Sequence, residues 1–312
     1  MTPTTEEHRF PCGNCGSDMR YLPGSDRLHC DHCGNEELIE GGGPWAGAHA
    51  IRERDFRAAL DAKIPEADIE ETRVIRCENC GAEVEFDPDT HATQCPFCVS
   101  PVVTDTGTHR HIKPAAVLPF ALAEEEARKA MTDWLGRLWF APNGLKKYAR
   151  KGRRMDGIYV PYWTYDADTR TRYRGKRGTV YYETRTRRVN INGKSQTRTE
   201  RVQKVRWTPV SGRVARAFDD VLVLASRSLP KQYTDRLAPW DLAGLEPYQP
   251  QYLAGFRAEA YQVELSEGFV EARDIMDATI RRDVKFDIGG DRQMIDAMET
   301  DVSEVTFKHV LL

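Results

Sequence analysis

CENCGAEVEFDPDTHATQCPFC, residues 77–98, holds two Cys-x2-Cys pairs fourteen residues apart. The same skeleton stands 65 residues earlier as CGNCGSDMRYLPGSDRLHCDHC, residues 12–33. All eight cysteines of the chain fall in these four pairs, leaving none as a core filler or a lone nucleophile. Two residues between sulfurs let a tight turn offer both thiolates to one ion about 2.3 Å away, and a hairpin carries the second pair across. The spacing sits close to the one read as a zinc site. The expected ligands are Cys12, Cys15, Cys30 and Cys33 for one ion and Cys77, Cys80, Cys95 and Cys98 for a second, so two structural Zn2+ per chain. Four sulfurs close the tetrahedron and leave no position for water or substrate. A ribbon of roughly 25 residues has too small a core to fold alone, and the metal adds on the order of 10–16 kcal/mol.

Other readings of the cysteines fit less well. Redox pairs need a thioredoxin-like strand-to-helix setting that the sequence lacks. Disulfides need an oxidising compartment for which there is no signal. Tetrahedral sulfur sites also hold iron, so spacing alone does not name the ion. Gly16, Gly34 and Gly81 follow the second cysteine of their pairs, where the turn needs φ > 0, whereas Val99 takes that place in the fourth pair. His29 and His32 lie beside ligands that are already complete. His109 and His111 share one face of an expected strand and read as a surface pair without an acidic partner.

The 312 residues, 40% hydrophobic and 30% charged, suit a folded chain with a core. No apolar run approaches the 18 or more residues that span a bilayer, and the N-terminal residues lack signal-peptide features, so a cytoplasmic protein is expected. Its apolar ending, Val310-Leu311-Leu312, reads as a strand cut short and suggests a longer parent chain. The net charge of −3 conceals an asymmetry, because residues 146–216 hold 21 Lys or Arg against five acids. That segment is net +16 and the remainder −19.

The expected fold class is α+β: two N-terminal zinc ribbons, then a body with an antiparallel sheet and a long basic β-hairpin arm. Residues 1–40 form ribbon 1, 41–73 a linker and short helix, 74–104 ribbon 2, and 105–312 the body. Residues 51–63 place Phe56 and Leu60 at helical spacing. An amphipathic helix over 123–139 is expected to bury Trp134, Leu138 and Trp139, and a helical turn follows at 145–150. Residues 157–166 (GIYVPYWTYD) and 219–225 (DDVLVLA) read as strands. Between them, about 179–207, Asn192-Gly193 marks a hairpin with too few apolar residues to be buried on either face. Residues 266–285 read as a helix carrying Phe269, Val270, Ile275, Met276, Ile280 and Val284, and 302–312 as a strand.

GRLWFAPNGLKKYARK, GIYVPYWTYDA, RWTPVSGRVARAFDDVLVLASRSLP, PQYLAGFRAEAYQVEL and TFKHVLL, together with the paired ribbons, cover nearly the whole chain. In these motifs the sequence resembles a family of bacterial double zinc-ribbon proteins catalogued as primosomal protein N′ (replication factor Y)-like, superfamily II helicase. The resemblance implies zinc binding and a primosome-like association with DNA. Family members continue past the TFKHVLL position, some with apolar segments, and related two-ribbon proteins accompany membrane-stress and band-7-type proteins. That implies a location peripheral to the inner membrane. A helicase needs Gly-x4-Gly-Lys-Ser/Thr to cradle phosphates. This chain has only Gly193-Lys194-Ser195, with Arg188 where the first glycine belongs.

The residues therefore point to a non-enzymatic zinc-binding scaffold or adaptor for a protein partner. The alternative is nucleic-acid binding by the arm. Arg185, Arg187, Arg188, Arg198, Arg201, Lys204 and Arg206 are the candidate contacts to nucleic acid or an acidic partner, with Tyr181, Tyr182 and Trp207 as stacking groups. An enzyme is the third reading. Asp219, Asp220, Asp287 and Asp291 are the acids it would recruit, without a histidine or nucleophile beside them in a recognisable motif.

Overall fold

The computed structural model describes residues 10–40, 51–61, 64–65, 69–77, 79, 81–85, 92–95, 100–103, 108–137, 155, 157–191 and 194–312. The Gly-Gly-Gly-Pro linker, Cys80, Cys98, Val99, Leu138, Trp139, the 145–150 turn and Asn192-Gly193 lie outside these residues. The chain divides into two compact units: Met1–Thr164, Leu222–Phe269 and Thr306–Leu312 form the first, Tyr165–Val221 and Val270–Val305 the second.

Among the described residues the largest sheet has six strands. Their order is Lys194–Leu224, Pro161–Ile191, Arg292–Leu311, Ala116–Val117 and Glu246–Pro247, with Arg54–Asp55 also paired to Arg292–Leu311. The sheet is mixed rather than antiparallel as expected. Ala116 and Val117 run parallel to Val310 and Leu311, because the terminal strand supplies an apolar edge on which a two-residue strand can be buried.

In the first unit the sequence repeat is also a structural repeat. Arg27–His29 pairs antiparallel with Glu36–Leu38, and Ala92–Gln94 with Pro101–Val103. Every partner pair in the second set is the first shifted by 65 (27↔38 becomes 92↔103). Met19, Tyr21 and Leu28 of the first repeat are buried with Tyr159, Tyr252 and Leu311 in one cluster. The Tyr21 and Tyr252 rings meet edge-on at 5.3 Å. Trp163, fully buried, donates its indole N–H to the Val263 carbonyl at 2.8 Å.

The short helix is Phe56–Leu60, smaller than the 51–63 pattern suggested, because Asp55 caps it by accepting from the Ala58 N–H at 2.6 Å. The next helix, Glu124–Arg137, starts with three glutamates at its positive end. It buries Leu135, but Trp134 is 59% exposed, contrary to the stripe expected from the sequence.

The second unit lays one helix on three strands. The hairpin is longer than the 179–207 stretch: its strands are Pro161–Ile191 and Lys194–Leu224. Of the 157–166 and 219–225 segments, expected as separate strands, residues 161–166 and 219–224 supply the two ends of this one hairpin, while Ile158–Tyr159 is a strand of its own that pairs parallel with Arg257–Ala258. Within the unit, Thr169, Thr171, Tyr173 and Gly175 are buried while Asp168, Arg170, Arg172 and Arg174 are exposed, the two-residue alternation of a strand with one covered face. The helix Leu265–Ile288 buries Ala272, Met276, Ile280, Val284 and Ile288, four residues apart. Tyr173, Ile280, Val284 and Ile288 pack together with Val214, Phe218 and Ile295. Val270 and Ile275, expected on that face, are exposed, and Phe286 is 90% exposed. Gly289 and Gly290, with φ of 64° and 77°, end the helix where a side chain would be strained.

Candidate metal centre

Cys12, Cys15, Cys30 and Cys33 stand at two turns that share one bonding scheme. The Cys12 N–H donates to Ser17 O at 2.8 Å and the Cys30 N–H to Asn35 O at 2.9 Å. The Gly16 and Gly34 N–H groups close back onto the Cys12 and Cys30 carbonyls at 2.8 and 2.9 Å. Both glycines hold positive φ, 75° and 73°, as the sequence required. The turns curl each sulfur pair inward, and the antiparallel strands bring the two pairs together.

All four Sγ atoms lie within 4.8 Å of one another. Cys12 Sγ is 3.6 Å from Cys33 Sγ, and Cys15 Sγ is 3.5 Å from Cys30 Sγ. A disulfide would need about 2.05 Å. Tetrahedral coordination with bonds of about 2.3 Å places sulfurs about 3.8 Å apart, close to the spacing found. The group can hold a metal ion.

Amide N–H groups are aimed at these sulfurs. Backbone bonding from Asn14, then Cys15, lowers the Cys12 thiol, and the Ser17 side chain and amide bring Cys15 down to about 6. The Cys33 amide acts on Cys30 in the same sense, but burial and the Cys15 and Cys33 sulfurs outweigh it, leaving that thiol at about 11. Asn35 and Glu37, which the cysteine pattern did not reveal, complete the surroundings. Asn35 Nδ2 reaches Cys12 Sγ at 3.5 Å and Glu37 Oε1 at 3.1 Å, and that Glu37 oxygen also accepts from the Gly13 N–H at 3.0 Å.

The second repeat keeps the scheme wherever it is described. Cys77 and Cys95 are buried, and their N–H groups donate to Ala82 O at 2.7 Å and Ser100 O at 2.8 Å. Gly81, φ 76°, closes onto the Cys77 carbonyl at 2.7 Å.

Elsewhere in the first unit, a small cavity is lined by His111, Tyr248, Glu259, Tyr261 and His309. His111 is thus no plain surface histidine: it is half-buried, its ring 4.9 Å from that of Tyr261. His309, fully buried in the core, bonds Ile112 O through Nδ1 at 2.8 Å, and burial lowers it to about 3, so it is neutral. Glu259 is 1% exposed, and burial pushes its carboxyl up to about 7 against the opposing pull of Ser228 and Ser226. Sequence reasoning gave neither residue a role, although Glu259 stands in PQYLAGFRAEAYQVEL and His309 in TFKHVLL.

In the second unit two of the acids weighed for catalysis, Asp287 and Asp291, bond neighbouring groups, while Asp219 and Asp220 have carboxylate oxygens within 4.8 Å of one of Asp166. Asp166 Oδ1 accepts from the Asp220 N–H at 2.5 Å, Asp287 from the Tyr173 hydroxyl at 2.5 Å, and Asp291 from the Val180 N–H at 2.7 Å. Arg185, Arg187, Arg188, Arg198, Arg201 and Arg206 are exposed on the hairpin. Lys204 is half-buried and ion-paired with Glu183. Arg206 lies 5.4 Å from the Tyr181 ring centre and Arg201 5.0 Å from that of Tyr182. Among the described residues no helix is long and apolar enough to cross a membrane.

The chain is similar to the uncharacterized protein YdjG of Bacillus subtilis, 26% identical over 265 residues, which cover 85% of this chain and 69% of the relative. No family model and no solved structure matches the chain.

Proposed function

We propose that the chain is a non-enzymatic adaptor built on two structural zinc ribbons, Cys12/Cys15/Cys30/Cys33 and Cys77/Cys80/Cys95/Cys98, which holds a protein partner. The observation that carries this reading is the closed group of four sulfurs within 4.8 Å. An ion held by four protein sulfurs has no open position for a substrate, so its contribution is to fold and rigidity. The repeated strand register and the repeated turns support an equivalent second site. Buried contacts between the first repeat and Tyr159, Tyr252 and Leu311 suit a platform that presents surfaces rather than a mobile finger.

Metal analysis of the purified chain tests the first part, with two zinc ions expected. One ion or none in a folded chain sinks the two-site reading, and iron in their place corrects the ion. For the second part, a tagged chain recovered from its native cells is expected to bring down a reproducible protein partner that a Cys12→Ser/Cys15→Ser variant loses. Failure to recover any, or DNA-stimulated ATP hydrolysis, rejects the adaptor.

A further inference from the structure

Among the described residues of its unit, the outer part of the hairpin stands without support. The strand Arg292–Leu311 begins beside Gly178, where the Asp291 N–H donates to the Gly178 carbonyl at 2.9 Å and the Asp291 carboxylate accepts from Val180. Past that point none of residues 181–189 or 197–209 is buried. At about 3.3 Å per residue, residues 181–191 reach roughly 35 Å past it. A lone two-stranded ribbon is marginal in water, so only cross-strand contacts such as Glu183 with Lys204 and Tyr181 with Arg206 hold it together.

Those contacts also assign its faces. Odd residues of the first strand share a face with even residues of the second, so Arg185, Arg187, Arg198, Lys204 and Arg206 lie on one side. Arg188 and Arg201 lie on the other, Arg201 over Tyr182. Both faces are therefore basic.

From this geometry we propose that the arm enters the major groove of a B-form DNA duplex, its two faces meeting the phosphates that line the groove. The inference goes beyond the adaptor reading and does not depend on it. A protein interface needs an apolar, desolvated centre from which charges are depleted. Among the described residues the arm shows no such centre: its most exposed large side chains with apolar surface are Tyr182, which a guanidinium already covers, and the lone Trp207. Duplex binding is driven by counterion release and needs no apolar core. The major groove of B-form DNA, about 12 Å wide, admits a two-stranded ribbon. A flat acidic protein surface would engage one face and leave the other idle.

The test uses the full, metal-loaded chain and a short labelled mixed-sequence DNA duplex, followed by fluorescence anisotropy between about 50 and 200 mM salt. With six contacts to phosphate, affinity is expected to fall about 10³-fold over that range. Substituting Arg185→Ala, Arg187→Ala, Arg198→Ala and Arg206→Ala together should reduce the log–log slope by about 3 to 4, and Arg188→Ala with Arg201→Ala by about 2 more. Unchanged metal content and circular dichroism show that the variants are folded. No binding at low salt, a slope that the substitutions leave alone, or tighter binding to a single strand than to the duplex overturns the proposal. Displacement of the duplex by polyglutamate at equal charge does so too, and identifies an acidic protein segment as the occupant.

Discussion

The Ser100 hydroxyl lies 3.4 Å from the Cys77 sulfur, in the place that Asn35 Nδ2 holds 3.5 Å from Cys12 Sγ. Each polar residue stands 23 positions after the cysteine it touches, so the relationship belongs to the repeat. A hydrogen bond donated to a thiolate spreads its charge and lowers its affinity for a competing proton. Asn35→Ala is expected to weaken metal retention at the first site, and Ser100→Ala at the second, each by about 10- to 100-fold. Chelator competition with one repeat disabled at a time measures both. An effect of Asn35→Ala on the second site alone would show that the two repeats do not work as described.

Exposure separates two tryptophans that the sequence treats alike. Trp163 is fully buried with a satisfied indole N–H, while Trp134 is 59% exposed. Trp163→Ala is expected to cost about 3 to 5 kcal/mol and Trp134→Ala at most about 0.5 kcal/mol. Urea denaturation of the metal-loaded chain checks both values, and similar losses for the two would place Trp134 in a core after all.

Gly175 is a packing requirement of the second unit. A Cβ there would lie 2.3 Å from the Met294 carbonyl oxygen, backbone that belongs to the neighbouring strand. Gly175→Ala must push the strands Pro161–Ile191 and Arg292–Leu311 apart, at a cost of about 1 to 3 kcal/mol or more. Hydrogen exchange should show faster opening of amides along that strand pair. Unaltered exchange would mean that the strands accommodate the methyl group.

The features legible in the sequence are those set by local chemistry. Cysteine spacing places four sulfurs together, Gly16, Gly34 and Gly81 take positive φ, and the Asn-Gly step separates two strands that end at Ile191 and start at Lys194. The helix Leu265–Ile288 was evident from its apolar spacing, although Val270 and Ile275 sit off the buried stripe that Ala272, Met276 and Ile280 define. What stayed hidden depends on contacts between distant segments. Residues 157–166 and 219–225 could not be joined, because the covered face between them changes from aromatic residues to Thr169, Thr171 and Gly175, which read as polar or irregular. The parallel pairing of Ala116 with Val310 leaves no local trace. Nor does the burial of Glu259 and His309, since a single charged residue in sequence looks like surface.

Glu259 gives a pH dependence whose sign is fixed. Its carboxyl, ordinarily near 4.5, is raised to about 7 by burial, with Glu83 adding repulsion and the Ser228 and Ser226 hydroxyls opposing. The folded state thus holds this proton more tightly than the unfolded chain. The stability it contributes is present below about 4.5 and is lost as pH rises through about 7. His309 works in the other direction. Kept neutral in the folded state, it contributes stability above about 6.5 that is lost as pH falls towards 3. The difference between the native chain and Glu259→Gln isolates the glutamate. Relative to its own value at pH 4, the variant should gain up to about 3 kcal/mol over the native chain by pH 8, with most of the change between about 5 and 7. Urea midpoints across that range measure it. A difference that stays flat would mean that Glu259 ionises as freely in the folded protein as in the unfolded chain.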